Sequence, residues 1–378
     1  MHVTIITDTG LPDVRVEKEI MTLLKNHYEV TIIGTVRDTT GIIDHELLKR
    51  IRVIDLNWRR EVRLKIEPYY SWFKRKVKRI LETVKPDIVL AINIFAGIIV
   101  HELGYPMLLD DHELYSLELK ASKSFGLKKI IRKYKLMLFK RMEETIAQDH
   151  PVMVVSNEMK KYYVNVYGAR ESKVKVMKNY PSKKEIKQLT FKEIDCERMI
   201  FTYIGKELTN NVEKTYRNMN DTARILCKLG KKFPNKIRVL LIGDNNKLCE
   251  IMQPYGYIKH MDMYKYIVSS HYGLLTWAPS WFHKYCNPNK PYIYAVSGSL
   301  PIVTSDLVEV ISDFKNNEII VINANNFKKE LGSTLTNLII NKDCDYINKM
   351  RRKLKEYSIQ HLLWESQEEK ILKLLKIA

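Results

Sequence analysis

Short apolar runs alternate along this chain with longer segments whose apolar residues recur at helical spacing, and glycine, proline and asparagine punctuate the joins. In the first half, Val3–Thr7, Val30–Ile33, Val53–Leu56, Ile88–Ile92, Met107–Leu109 and Val152–Val155 predict strands. A turn is expected at Gly10-Leu11-Pro12, followed by a helix near Val14–Asn26. The second half repeats the pattern at Ile200–Ile204, Arg238–Ile242, Tyr272–Leu275, Leu300–Val303 and Ile319–Val321, and a last helix is expected from about Ile347 to the end. Strands alternating with helices predict an α/β protein made of two tandem Rossmann-like, doubly wound domains. The polar stretch Asn179–Glu197, opened by Pro181, reads as the linker. The expected division is residues 1–180, residues 198–350 and a closing helix over 351–378 that packs toward the first domain. Ligands of such sheets bind outside the carboxyl ends of the strands, so a cleft between two such ends is expected. No G-x-G-x-x-G follows the first strand, which argues against a nicotinamide or flavin fingerprint.

Chemistry-bearing residues collect at the predicted strand ends. The first strand leads into a loop with Gly10, Asp13 and Arg15, suited to a polyhydroxyl or phosphate ligand, although Asp13 is equally suited to cap the helix. The strand near Leu108 delivers Asp110, Asp111, His112 and Glu113, and a histidine among carboxylates suits acid–base work or sugar hydroxyls. From Tyr285 to Val303 the chain reads as a loop (Asn287, Pro288, Asn289), a short helix, a stop at Gly298 and an apolar strand. Lys290 stands where that helix begins, so backbone N–H groups and a cation converge on one anion site.

These segments together resemble the retaining, GT-B-fold glycosyltransferases of family 4. Pro288, Asn289, Lys290, Tyr294, Ala295, Gly298, Pro301 and Val303 fit that family's donor motif, and Leu108–Ser116 resembles its D-x-H-E-L-Y-S segment. Val152–Glu158, Lys175–Pro181, Leu240–Asp244, Gly256–Ile258 with His260, Tyr266–Leu275 and the terminal Trp364-Glu365 resemble further family segments in order. The resemblance implies transfer of a sugar from a nucleotide-sugar to a glycan or lipid-linked acceptor hydroxyl, with retention and without a metal or cofactor. It implies that His112 and Asp111 act on the sugar or acceptor. It places the diphosphate on Gly205, Lys206, Lys214, Asn289 and Lys290, and the nucleotide on Gly256, Tyr257 and Ile258. The loop of Gly10, Asp13 and Arg15 is implied on the acceptor side. Two family glutamates are missing: Ile293 and Tyr285 occupy their positions. A catalytically silent scaffold that binds a sugar nucleotide, or a nucleotide-sugar epimerase, are the alternatives.

Composition narrows the setting. Of 378 residues, 45% are hydrophobic and 28% charged, which suits a globular protein with material for two cores. The longest apolar stretch, Ile88–Val100, is shorter than a membrane span and is broken by Asn93. The chain opens on a strand rather than on a signal-peptide pattern. Five scattered cysteines without a C-x-x-C predict a reducing, cytoplasmic setting and no disulfides or structural zinc. Asp343-Cys344-Asp345 has the form of a metal motif but stands at a predicted helix start, where capping is the expected role.

The formal charge of +19, from 63 Lys+Arg against 44 Asp+Glu, calls for an anionic partner. Basic residues concentrate with aromatics over Arg59–Arg79 and with helically spaced apolar residues over Leu127–Arg141. Both segments suit peripheral docking on an anionic membrane leaflet, or a helix with its apolar stripe turned to the core. No zinc-finger, RNP or K-homology signature supports nucleic acid as the partner.

Overall fold

The computed structural model describes residues 1–36, 41–42, 45–122, 127–206, 217–314 and 319–378, with the side chains of 45, 46, 127 and 128 left out. The chain forms two compact units, and each contains one parallel sheet. The first unit holds β1 (His2–Thr7), β2 (Glu29–Gly34), β3 (Arg52–Asp55), β4 (Ile88–Ile92), β5 (Met107–Asp111), β6 (Val152–Val154) and β7 (Val174–Val176), in spatial order β3-β2-β1-β4-β5-β6-β7. The second holds β8 (Met199–Ile204), β9 (Ile237–Ile242), β10 (Met252–Pro254), β11 (Tyr272–Leu275), β12 (Leu300–Thr304) and β13 (Ile320–Ile322), in order β10-β9-β8-β11-β12-β13. The expected α/β, doubly wound class is therefore the observed one, with the GT-B pair of Rossmann-like sheets.

Central strands such as β4, β5 and β12 are buried along their whole length, as strands covered by helices on both faces must be. Helix Val14–Lys25 begins where Asp13 accepts hydrogen bonds from the Arg15 and Val16 N–H groups, and Lys25 lies in its last turn. The second core gathers Phe201, Val239, Leu274, Ile302, Leu335 and Leu354. Truncating any one of these to alanine is worth about 2–5 kcal/mol. β7 and β10 are short edge strands, each interrupted by Lys or ended by Pro, and neither stands out in the apolar pattern.

The chain divides at Lys178/Asn179, and the polar stretch after it is part of the second unit rather than a bare linker. Ser182 and Glu185 form a capping box there, and Arg351 donates to the carbonyls of Lys192 (3.0 Å), Val268 (2.9 Å) and Gly298 (2.7 Å). Helix Cys344–His361 also belongs to the second unit, and only Gln367–Ala378 joins the first. There the Glu368 carboxylate accepts from Lys25 Nζ (2.6 Å) and Thr22 Oγ1 (3.2 Å), and Gln367 Nε2 donates to the Lys178 carbonyl (2.6 Å).

The expectation of no disulfides is overturned. Cys196 is bonded to Cys344 and Cys227 to Cys249, with Cα–Cα separations of 5.6 and 5.8 Å, and Cys286 stays a thiol. Scattered spacing misled because packing, not sequence distance, brought these cysteines within reach. The Asp343 side chain caps its helix, accepting from the Tyr346 N–H at 3.0 Å.

Candidate functional site

In each sheet the strand order reverses at one point, between β1 and β4 in the first and between β8 and β11 in the second. Such switch points open a crevice at the carboxyl ends of the strands, and the polar side chains of interest gather at both.

In the first unit, Asp8 follows β1, Asn93 follows β4 and His112 follows β5. Asn93 Nδ2 donates to Asp8 Oδ1 (3.0 Å), while Asn93 Oδ1 accepts the His112 N–H (3.2 Å). Asn93 holds a left-handed φ of 65°, a conformation that asparagine tolerates better than most residues. Arg63 closes the group, with Nε 3.2 Å from Asp8 Oδ2 and Nη2 donating to the Asp8 carbonyl at 2.6 Å.

Behind His112 lies a buried ion pair. Arg15 Nε and Nη2 each donate to Asp110 at 2.6 Å, and Nη1 donates to the Met177 carbonyl at 2.8 Å. Asp110 Oδ2 then meets His112 Nε2 at 2.7 Å. Burial alone would push the Asp110 carboxyl up, but Arg15 and His112 outweigh it and hold the group well below the usual carboxylate range. Asp110 is thus an anion that orients the imidazole. Burial and Asp110 together push the neighbouring Glu19 carboxyl well above the usual carboxylate range.

This arrangement alters four of the expected roles. Asp111, expected beside His112 in the chemistry, stands on the other face of β5, because successive strand residues alternate. It is fully buried and accepts from Tyr163 OH at 2.7 Å. Burial and the neighbouring Glu143 push its carboxyl well above the usual range, so Asp111 is a core group and Asp110 the partner of His112. Arg15 is committed inward and sits behind the histidine. Asp13 is committed to the helix cap. Gly10 serves the backbone: at φ 83° a Cβ would lie 2.6 Å from the Thr35 carbonyl oxygen.

In the second unit, Lys290 lies at the start of helix Lys290–Val296, its Nζ 5.2 Å from the Tyr203 ring centroid and 5.5 Å from that of Trp277. The Arg217 guanidinium lies 5.7 Å from the same indole. Tyr203 is at the carboxyl end of β8 and Trp277 just beyond β11, so cations and aromatic faces converge at the switch point. Gly205, at φ 134°, donates its N–H to Ile242 (2.8 Å), and the Gly256 carbonyl accepts from the Gly243 N–H (2.7 Å). Lys206 is exposed at this end of the sheet, whereas Lys214 lies outside the described residues. Tyr257 is exposed, and Ile258 packs partly buried against the Met263–Tyr264 cluster. The Asn289 carbonyl accepts the first helical hydrogen bond, from the Ile293 N–H at 3.1 Å. Ile293 itself is 3% exposed among Ile242, Met263, Tyr264 and Ile267. The expected donor-contact position is a core position here. The residues not anticipated from sequence are Asn93, Arg63, Arg217 and Trp277.

The two basic segments do not both turn their apolar faces inward. On helix Leu127–Asp149, Phe139, Met142 and Ile146 are buried, while Ile130, Ile131, Tyr134 and Met137 are all more than half exposed. Trp72 is 59% exposed on helix Tyr69–Val84. No helix among the described residues is long and apolar enough to cross a membrane.

Two doubly wound units with polar groups at both switch points define the GT-B fold class. Residues 15–180 match the family model Glycosyltransferase Family 4, so the resemblance read from the motifs stands. Similar solved structures include sucrose-phosphate synthase from Thermosynechococcus elongatus, with 13% identity, TM-score 0.71, and 100% of this chain and 98% of that one covered. WaaG, a glycosyltransferase involved in lipopolysaccharide biosynthesis, is 11% identical at TM-score 0.70, with 98% and 99% covered. HepE from Anabaena, in complex with UDP-glucose, is 10% identical at TM-score 0.64, with both chains covered in full. At these identities the likeness establishes the fold. A search of curated proteins returns no match.

Proposed function

We propose that this chain is a metal-independent, retaining glycosyltransferase that moves a sugar from a nucleotide-sugar to an acceptor hydroxyl. The observation that carries the reading is the Arg15–Asp110–His112 relay at a switch point. With Nε2 engaged by an ionised Asp110, the imidazole keeps Nδ1 for a sugar or acceptor hydroxyl, and its orientation is fixed before any ligand arrives. Lys290, with Arg217 and Lys206 at the same end of the second sheet, supplies positive charge for a leaving diphosphate, where retaining transfer develops negative charge. The UDP-glucose bound by HepE makes a uridine nucleotide-sugar the first donor to test. The test is turnover of a panel of nucleotide-sugars by purified protein. His112→Ala is expected to lower kcat by about 10²–10⁴-fold with nucleotide affinity retained. Equal turnover by wild type and His112→Ala would remove the histidine from the mechanism.

A second reading, a nucleotide-sugar binder without turnover, is favoured by Ile293 and Tyr285, which remove both carboxylates of the family motif. Tight nucleotide binding with no turnover on any donor would support it. The acceptor reading is a glycan or lipid-linked hydroxyl presented at an anionic membrane surface. The exposed Ile130–Met137 stripe among lysines and arginines supports it, since each cation near such a surface is worth about 1 kcal/mol. Flotation with anionic but not neutral liposomes is expected; equal, negligible flotation with both counts against it.

A further inference from the structure

At the amino ends of β8 and β9, opposite to the ends that carry Gly205 and Gly243, the second sheet carries like charges side by side. Met199 pairs with Ile237 and Ile200 with Arg238 in the parallel register, and the Met199 N–H bonds to the Lys236 carbonyl. One step before the first pair, Arg198 therefore stands beside Lys236. Strand alternation puts Arg198, Lys236 and Arg238 on one face, away from the core face of Phe201 and Val239. Like charges directly across a strand pair are destabilising.

The partners of this group among the described residues are neutral oxygens. Among the described residues, Arg198 Nε donates to the Asn235 carbonyl (3.2 Å), Arg238 to the Gln253 amide oxygen, and Lys342 to the carbonyls of Cys196 and Glu197. None of these four cations makes an ion pair there. Three carboxylates share the lining, Asp195, Glu197 and Glu250; all are exposed, and Asp195 Oδ1 accepts the Glu197 N–H at 3.1 Å. Two adjoining concavities of about 610 and 660 Å³ share Arg198, Asn235 and Arg238, and Lys236 and Lys342 line the second. Those volumes fall within the range of small-molecule sites.

We propose that this groove is a second anion site, built for a compact, multiply charged phosphate of the diphosphate class. Two guanidinium groups offer forked N–H donors, and Lys236 and Lys342 add point charges, the combination that suits phosphate oxygens. A bound anion relieves the repulsion among these cations. The site lies at the opposite ends of the strands from Lys290 and does not depend on the glycosyltransferase reading.

The experiment is calorimetric titration of inorganic pyrophosphate into the full-length Lys290→Met protein, in which the other end of the sheet, with Arg217 and Lys206 still present, binds more weakly. Binding at one site is expected, weakened at least tenfold by Arg198→Gln with Arg238→Gln and weakened by added salt. The same double variant, without ligand, is expected to melt at a higher temperature because the repulsion has gone. Lys236→Gln alone gives both changes at smaller size, which keeps the test decisive if the double variant fails to fold. No binding to the Lys290→Met protein, or affinity unmoved by these substitutions, overturns the proposal.

Discussion

The two switch points solve the same problem with different chemistry. In the first unit a cation is spent on a carboxylate: Arg15 clamps Asp110, and Asp110 clamps His112. In the second, cations are laid on aromatic faces, with Lys290 and Arg217 against Trp277. A bidentate ion pair fixes a side chain tightly but cancels its charge. A cation–π contact orients a cation without itself cancelling the charge. On the function proposed above, the first end orients a hydroxyl and the second meets a diphosphate.

The largest effect should come from breaking the buried clamp. Asp110→Ala strands Arg15, which is 5% exposed, and is expected to cost about 3–5 kcal/mol in urea-unfolding stability. Arg15→Met with Asp110→Leu removes both charges and should cost much less than either single change. If the single and double variants are equally destabilised, the pair is not the organising element assigned to it.

The next effect separates two carboxylates on successive residues of β5. Asp110 is depressed, so its stabilisation is present above its unfolded pKa of about 4 and is lost as pH falls below that. Asp111 and its neighbour Glu143 are raised, Glu143 from 4.5 to about 7, chiefly by burial. A raised carboxyl binds more protons in the folded state, so its contribution is complete below about pH 4.5 and declines as pH rises toward 7. Stability is expected to fall across that window, and Glu143→Gln should flatten the slope while keeping an acceptor for the Ser116 N–H. Urea midpoints between pH 4.5 and 8 that show identical slopes for both proteins would place the titration elsewhere.

Periodicity made the strands legible because a parallel strand buried on both faces is an uninterrupted apolar run, as β4 and β12 are. His112 and Lys290 were legible as polar residues at the ends of such runs. Asn93 carried the same signal but registered only as an interruption of Ile88–Val100. The choice between Asp110 and Asp111 was not legible, since it depends on which residue of β5 faces Arg15, and Arg15 comes from a helix far away in sequence. Trp277 and Arg217 belong to contacts made only when β8 and β11 lie side by side. The disulfides failed for the same reason: pairing is a property of packing, and spacing carried no trace of it.

The smallest expected effect tests whether the aromatic surface does more than pack. Trp277→Phe keeps an aromatic face with a weaker hold on a cation, and it is expected to weaken uridine nucleotide binding by about 0.5–1 kcal/mol, a factor of two to five. Lys290→Met should weaken binding more, and adding Trp277→Phe to it should then change little, because the ring acts through the cation it orients. A cycle measured by calorimetry separates this from loss of packing, which would weaken binding by the same factor with or without Lys290. An additive outcome would reduce Trp277 to a core residue and leave the second switch point with charge but no means of aiming it.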